Sequence, residues 1–109
     1  MPYDPGLAAR LESLLSGRPG YQQKKMFGGI GWMLNGNMCV AIYKEWLIAR
    51  VGVDAEKKAR STPHTKAFDI TGKPMKGWIM VAPEGIDKDR DLEKFVQLAE
   101  SFVKSLPAK

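Results

Sequence analysis

Asn35-Gly36 stands between two apolar runs, Gly31-Trp32-Met33-Leu34 and Asn37-Met38-Cys39-Val40-Ala41-Ile42-Tyr43, and constrains the fold more than any other feature of the sequence. A two-residue type I′ hairpin needs positive φ at both central positions, which asparagine and glycine adopt with little strain. The flanking runs are therefore expected to pair antiparallel. Lys44-Glu45 then separates the second run from Trp46-Leu47-Ile48-Ala49-Arg50-Val51, which predicts a second tight hairpin and a three-stranded meander. Neither strand alternates cleanly between apolar and polar residues, so burial on both faces is expected.

On either side of this sheet region the hydrophobic period changes. Asp4 is an N-cap candidate followed by Pro5 at a first helical position, and Leu7, Leu11, Leu14 and Leu15 recur at helical spacing. A helix over about Pro5 to Ser16 follows, with Gly17 just past its end and Arg18-Pro19-Gly20 as the breaker. Near the other end, Leu92, Phe95, Val96, Ala99, Phe102, Val103 and Leu106 trace the apolar stripe of an amphipathic helix. Asp87, Asp89, Asp91 and Glu93 crowd its start, where the helix dipole favours negative charge, and Lys104 lies near its end.

Between sheet and last helix the signals are shorter. Residues Asp54 to Arg60 are mostly good helix formers, with Asp54 as the expected cap and Thr62-Pro63 as the stop. Ala67-Phe68-Asp69-Ile70 predicts a short strand, Gly72-Lys73-Pro74 a turn and Trp78-Ile79-Met80-Val81 a further strand, with Ala82-Pro83-Glu84-Gly85 closing the sheet. The expected fold class is α+β: an antiparallel sheet of about five strands, N-terminal and C-terminal amphipathic helices packed against it, and a short helix in the middle. A chain of 109 residues supports one hydrophobic core, so residues 1–109 are read as a single domain.

Charge bears on partners rather than fold. The net charge is +5, yet residues 87–109 hold equal numbers of acidic and basic side chains. The excess concentrates in residues 50–76, where Arg50, Lys57, Lys58, Arg60, Lys66, Lys73 and Lys76 face only Asp54, Glu56 and Asp69. Such a region suits an anionic partner or simply keeps a small protein soluble. The sequence lacks a signal-peptide pattern and any apolar run long enough for a membrane span, so a cytoplasmic protein without a membrane partner is expected.

The chemistry-bearing residues give little sign of catalysis. Gly28-Gly29-Ile30-Gly31 is not followed by the Gly-Lys-Ser/Thr of a P-loop, and Leu34 breaks a dinucleotide-binding fingerprint. These glycines are read instead as allowing a bulge, a sharply coiled strand or a close approach by a packed helix. Cys39, the only cysteine, falls in an apolar strand, and His64, the only histidine, falls in a connector. They are expected to be a buried hydrophobe and a solvent-facing loop residue, not a nucleophile and its base. No cofactor and no metal site is expected. The aromatics Phe27, Trp32, Tyr43, Trp46, Phe68 and Trp78 interleave with basic residues, as on a sheet that binds single strands, but Lys76-Gly77-Trp78-Ile79 does not continue as an RNA-recognition motif.

The run Lys25-Met26-Phe27-Gly28-Gly29-Ile30-Gly31, followed by Asn35-Gly36 and the strand from Met38 to Tyr43, resembles the opening of the N-terminal domain family of the competence regulator TfoX, also called Sxy. Trp46 to Val51, Pro74-Met75-Lys76-Gly77-Trp78 and Asp87 to Lys104 resemble the family's later segments in order, so the likeness extends from about Leu7 to Leu106. It implies a compact antiparallel sheet with helices packed on it, a role in regulating transcription of DNA-uptake genes, and no known enzyme activity. Full-length competence regulators carry a second, C-terminal domain, whereas this sequence ends at Lys109, and a stand-alone member of the family is the expectation.

The expected function is that of a non-enzymatic regulatory and interaction module that binds a protein partner, transcription machinery being one candidate, through an exposed sheet face or edge. The alternative is weak, largely sequence-independent binding of nucleic acid by the basic 50–76 region. The expected contact residues are Lys24, Lys25, Arg50, Lys73 and Lys76.

Overall fold

The computed structural model describes residues 3–26, 29–69, 72 and 75–108. Their order is α1 (Pro5–Leu15), β1 (Tyr21–Met26), β2 (Gly29–Leu34), β3 (Asn37–Tyr43), β4 (Trp46–Arg50), α2 (Val53–Arg60), β5 (Thr65–Ala67), β6 (Trp78–Val81), one 3-10 turn (Pro83–Gly85) and α3 (Asp89–Lys104). The strands form one sheet in the order β1-β2-β3-β4-β6-β5, with every neighbouring pair antiparallel. The α+β expectation holds, with six strands where about five were expected. The added strand is β1, whose polar Gln22-Gln23-Lys24-Lys25 gives no apolar signal and suits a sheet edge.

Both tight turns form as the sequence predicts. Asn35 and Gly36 have φ of 53° and 85°, and Lys44 takes φ of 57° in the turn that brings Tyr43 opposite Trp46. A register shift in the β2–β3 pairing leaves Cys39 as an extra residue, because Trp32 pairs with Val40 while Met33 pairs with Met38. Cys39 and Val40 consequently both join the main core.

That core lies on one face of the sheet. Leu7, Leu11 and Leu15 of α1, Ala59 of α2, and Leu92, Phe95, Val96, Ala99 and Val103 of α3 pack with Ile30, Trp32, Leu34, Val40, Ile42, Leu47, Ala49, Ile79 and Val81 from the strands. All three helices thus cover the same side. The Asp4 carboxylate accepts a hydrogen bond from the Gly6 N–H at 2.9 Å, so the expected cap of α1 is present.

Other local expectations are corrected. Gly17 does lie just past the end of α1, after the C-cap Ser16, but the positive φ that turns the chain into β1 belongs to Gly20 at 88°. Helix α2 is capped by Gly52, not Asp54, which lies inside the first turn. The short strand covers Thr65–Ala67 and leaves out Phe68 and Asp69, because pairing with β6 stops at Ala67 opposite Ile79. Ile70, Lys73 and Pro74 lie outside the described residues. At α3 the N-cap is Lys88 without a side-chain bond, and Asp89 is held by Arg10 at 3.1 Å.

Candidate functional site: the outer face of the sheet

Because directly opposed residues of antiparallel strands project to the same side, the register identifies what the helix-free face carries. Lys24 pairs with Gly31, Gly31 with Ala41, Ala41 with Ile48, Ile48 with Met80 and Met80 with Lys66. One row therefore crosses all six strands, with a lysine on each edge strand and small or apolar residues between. Ala41, Ile48 and Met80 form a second, smaller core on this face. They are buried because Met38, Tyr43, Trp46, Phe68 and Trp78 lean over them, and these larger side chains are themselves only half-buried.

The glycine in this row has a packing reason. A Cβ on Gly31 would lie 3.0 Å from the Met38 methyl and 3.4 Å from Ala41 Cβ. The absence of a side chain lets Met38 fold flat across β2, so the close approach is by a neighbouring strand's methionine, not by a helix or a phosphate. Gly29 is buried in the same strand, and Gly28 lies outside the described residues.

Cations cover the aromatic rings. Lys66 Nζ stands 4.9 Å from the Trp46 ring centre, Lys44 Nζ 5.4 Å from that of Tyr43, and the Arg50 guanidinium 5.4 Å from Trp78 and 5.7 Å from Phe102. Trp78 also tilts against Phe68 with centroids 5.8 Å apart. At these separations each cation is attracted by the ring quadrupole. Acidic side chains are sparse here: Glu45 is exposed in the β3–β4 turn, and Asp69 bridges Lys66 at 3.9 Å.

The expected contact residues are only partly brought together. Lys24 and Lys25 are neighbours in β1 and project to opposite faces, Lys24 joining the outer row and Lys25 pairing with Ile30 on the helix side. Arg50 sits beside Trp78 in the β4–β6 pairing, and Lys76 is exposed in the turn that enters β6. Lys73 lies outside the described residues. Lys44, Lys66, Met33 and Met38 were not among the expected contacts, and their shared face emerges only from strand order. The basic 50–76 region does not form one patch either. Lys57, Lys58 and Arg60 are exposed on α2, which packs on the helix side, and Arg60 is paired with Glu56 at 3.4 Å.

Beneath the opposite face lies a polar clasp that the sequence does not announce. Glu100 of α3 accepts hydrogen bonds from Tyr21 Oη at 2.8 Å and Arg18 Nη1 at 2.8 Å, and Lys104 Nζ lies 3.2 Å from its other oxygen. Burial alone would raise the Glu100 carboxyl, but the three donors outweigh it and hold the group below its ordinary range. Burial pushes the Tyr21 hydroxyl upward. Burial also pushes the Cys39 thiol up to about 11. Cys39 is fully buried, with Tyr21 Oη 3.8 Å from its sulfur, and His64 is exposed in a loop. A thiol so placed stays protonated at neutral pH and unsuited to nucleophilic attack.

Among the described residues, no helix is long and apolar enough to cross a membrane, and no three His, Cys, Asp or Glu side chains gather as a metal site. The chain matches no curated protein and no solved structure. The TfoX N-terminal domain model, in contrast, matches residues 13–103, from the last turn of α1 through nearly all of α3. That span contains the whole sheet, both hairpins and, of the clasp that ties α3 to β1, Arg18, Tyr21 and Glu100. With most of its length matched, the chain belongs to the TfoX N-terminal domain family.

Proposed function

We propose that this domain is a non-enzymatic regulatory module that binds a protein partner on the outer face of its sheet. One observation carries the reading: among the described residues, helices cover one side of the sheet only, and the other presents Met38, Tyr43, Trp46, Phe68 and Trp78 half-buried around a small core. Tryptophan, tyrosine, methionine and arginine are enriched at protein interfaces, and the two aromatics supply large contact area with few rotatable bonds. Membership of the TfoX N-terminal domain family supports a regulatory, competence-related setting.

The composition of the face favours protein: large aromatic and thioether side chains surround a small apolar core, with cations beside Trp46, Tyr43 and Trp78, as at the centre of a protein interface. A photo-cross-linking amino acid placed at Trp46 or Tyr43, and at exposed Ser13 of α1 as a control, tests the proposal in cells that make the protein. Adducts from the outer-face positions that are lost on protease treatment and survive nuclease are expected. Adducts confined to Ser13, or destroyed by nuclease, would contradict it.

A further inference from the structure

From the charges at the two ends of the outer row, we infer that the partner presents a segment with an apolar middle and carboxylates toward both ends. The inference rests on the docking reading above and adds the chemistry of the occupant. Lys24 on β1 and Lys66 on β5 terminate the row Gly31, Ala41, Ile48 and Met80, and the sheet order places them on its two edge strands. Five strand spacings separate them, so their backbones stand roughly 24 Å apart. Lys44 adds positive charge between these ends, while the nearby acids are Glu45 and the Asp69 already paired with Lys66.

Charge decides between occupants. A second copy of this chain laid face to face would bring Lys24, Lys44 and Lys66 against their own kind, which costs affinity at a partly desolvated interface. An acidic-ended segment meets the same lysines favourably. Its carboxylates draw Lys66 and Lys44 from the rings of Trp46 and Tyr43, which frees those rings for its apolar middle. The cations thus cover the aromatics in the free domain and become the anchors in the complex. The methionines on this face fit such a surface, since an unbranched thioether side chain repacks against varied apolar shapes.

The test uses two synthetic peptides without tryptophan, each with an apolar stretch of about seven residues, long enough when extended to span the row. One carries glutamates at both ends and the other lysines, and indole fluorescence follows binding to the native domain and to the double variant Lys24→Glu, Lys66→Glu. Both lysines are exposed, so the fold should survive the change. The glutamate-ended peptide is expected to bind the native domain and to weaken about tenfold or more on the variant, since each exposed ion pair is worth up to about fivefold and reversal adds repulsion. The lysine-ended peptide is expected to show the reverse preference.

Equal or tighter binding of the lysine-ended peptide by the native domain would overturn the inference. So would oligothymidylate binding that competes at these indoles, or a face-to-face dimer detected by sedimentation. Cross-links from Trp46 together with failure of the glutamate-ended peptide to bind would leave the docking face standing and remove the charge assignment. Loss of the cross-links would remove the face itself.

Discussion

Replacing Gly52 with valine is expected to destabilise the domain by about 3 kcal/mol or more, the sum of backbone strain and overpacking. Gly52 has φ of 89°, a conformation that a β-branched residue adopts only under strain. Its N–H donates to Gly77 O at 3.0 Å and its carbonyl accepts from Glu56 N at 3.0 Å, so the backbone cannot rotate away without losing the junction between β4, β6 and α2. A Cβ at this position would also collide with Cδ1 of the Phe102 ring and lie 2.8 Å from Cε1. Urea denaturation should show the midpoint falling with an unchanged slope. Gly52→Ala in a Phe102→Ala background separates the two causes, because the collision is gone and only the strain remains. A Gly52→Val protein with the native midpoint would refute the assigned junction.

Removing the Glu100 carboxylate is the second large effect. Glu100→Ala leaves the Tyr21 hydroxyl and the Arg18 guanidinium without their acceptor, at an expected cost of about 2 kcal/mol. Most of that belongs to the tyrosine bond, since the Arg18 and Lys104 side chains are one-third and three-fifths exposed and solvent screens their share. For a domain of this size the thermal midpoint should drop by about 10 °C. Because the folded carboxyl lies below its ordinary value, the stabilisation is fully present above the unfolded pKa and is lost as pH falls through the folded one. The native and Glu100→Ala proteins should therefore converge in stability on acidification. A constant gap between them from neutral to acidic pH would show that the carboxylate charge has no part in the clasp.

These two sites also mark where the sequence is legible and where it is not. Asn35-Gly36, Lys44-Glu45 and the stripe from Leu92 to Val103 are local signals, since a hairpin turn or a helical face depends on residues a few positions apart, and each formed as read. Gly52 acts through Phe102 and Gly77, and Glu100 through Tyr21 and Arg18, partners far apart in the chain that no spacing rule connects. Strand β5 was misplaced for the same reason: three residues gain strand geometry only from β6 beside them. Strand β1 is polar because it is an edge.

The candidate site follows this division. Its aromatic residues stand out in the sequence, but which of them share a face depends on register. Trp32 is buried under α1, with its indole N–H donating to Glu12 at 3.0 Å, whereas Trp46 and Trp78 lie on the outer face. Lys24 and Lys25 are adjacent in sequence and separated by the sheet, while Lys24 and Lys66 are distant in sequence and share one row. Net charge counted along the chain carries none of this, because it does not distinguish the two sides of a strand.

The three tryptophans supply the most direct test of the outer face as the functional surface. With fluorotryptophan incorporated and each resonance assigned by a Trp→Phe variant, fluorine NMR of the native domain is recorded before and after addition of the protein captured by cross-linking. The resonances of Trp46 and Trp78 are expected to move together and saturate, while that of Trp32, beneath α1, stays in place. Saturable binding that leaves Trp46 and Trp78 unmoved would contradict the assignment of function to this face.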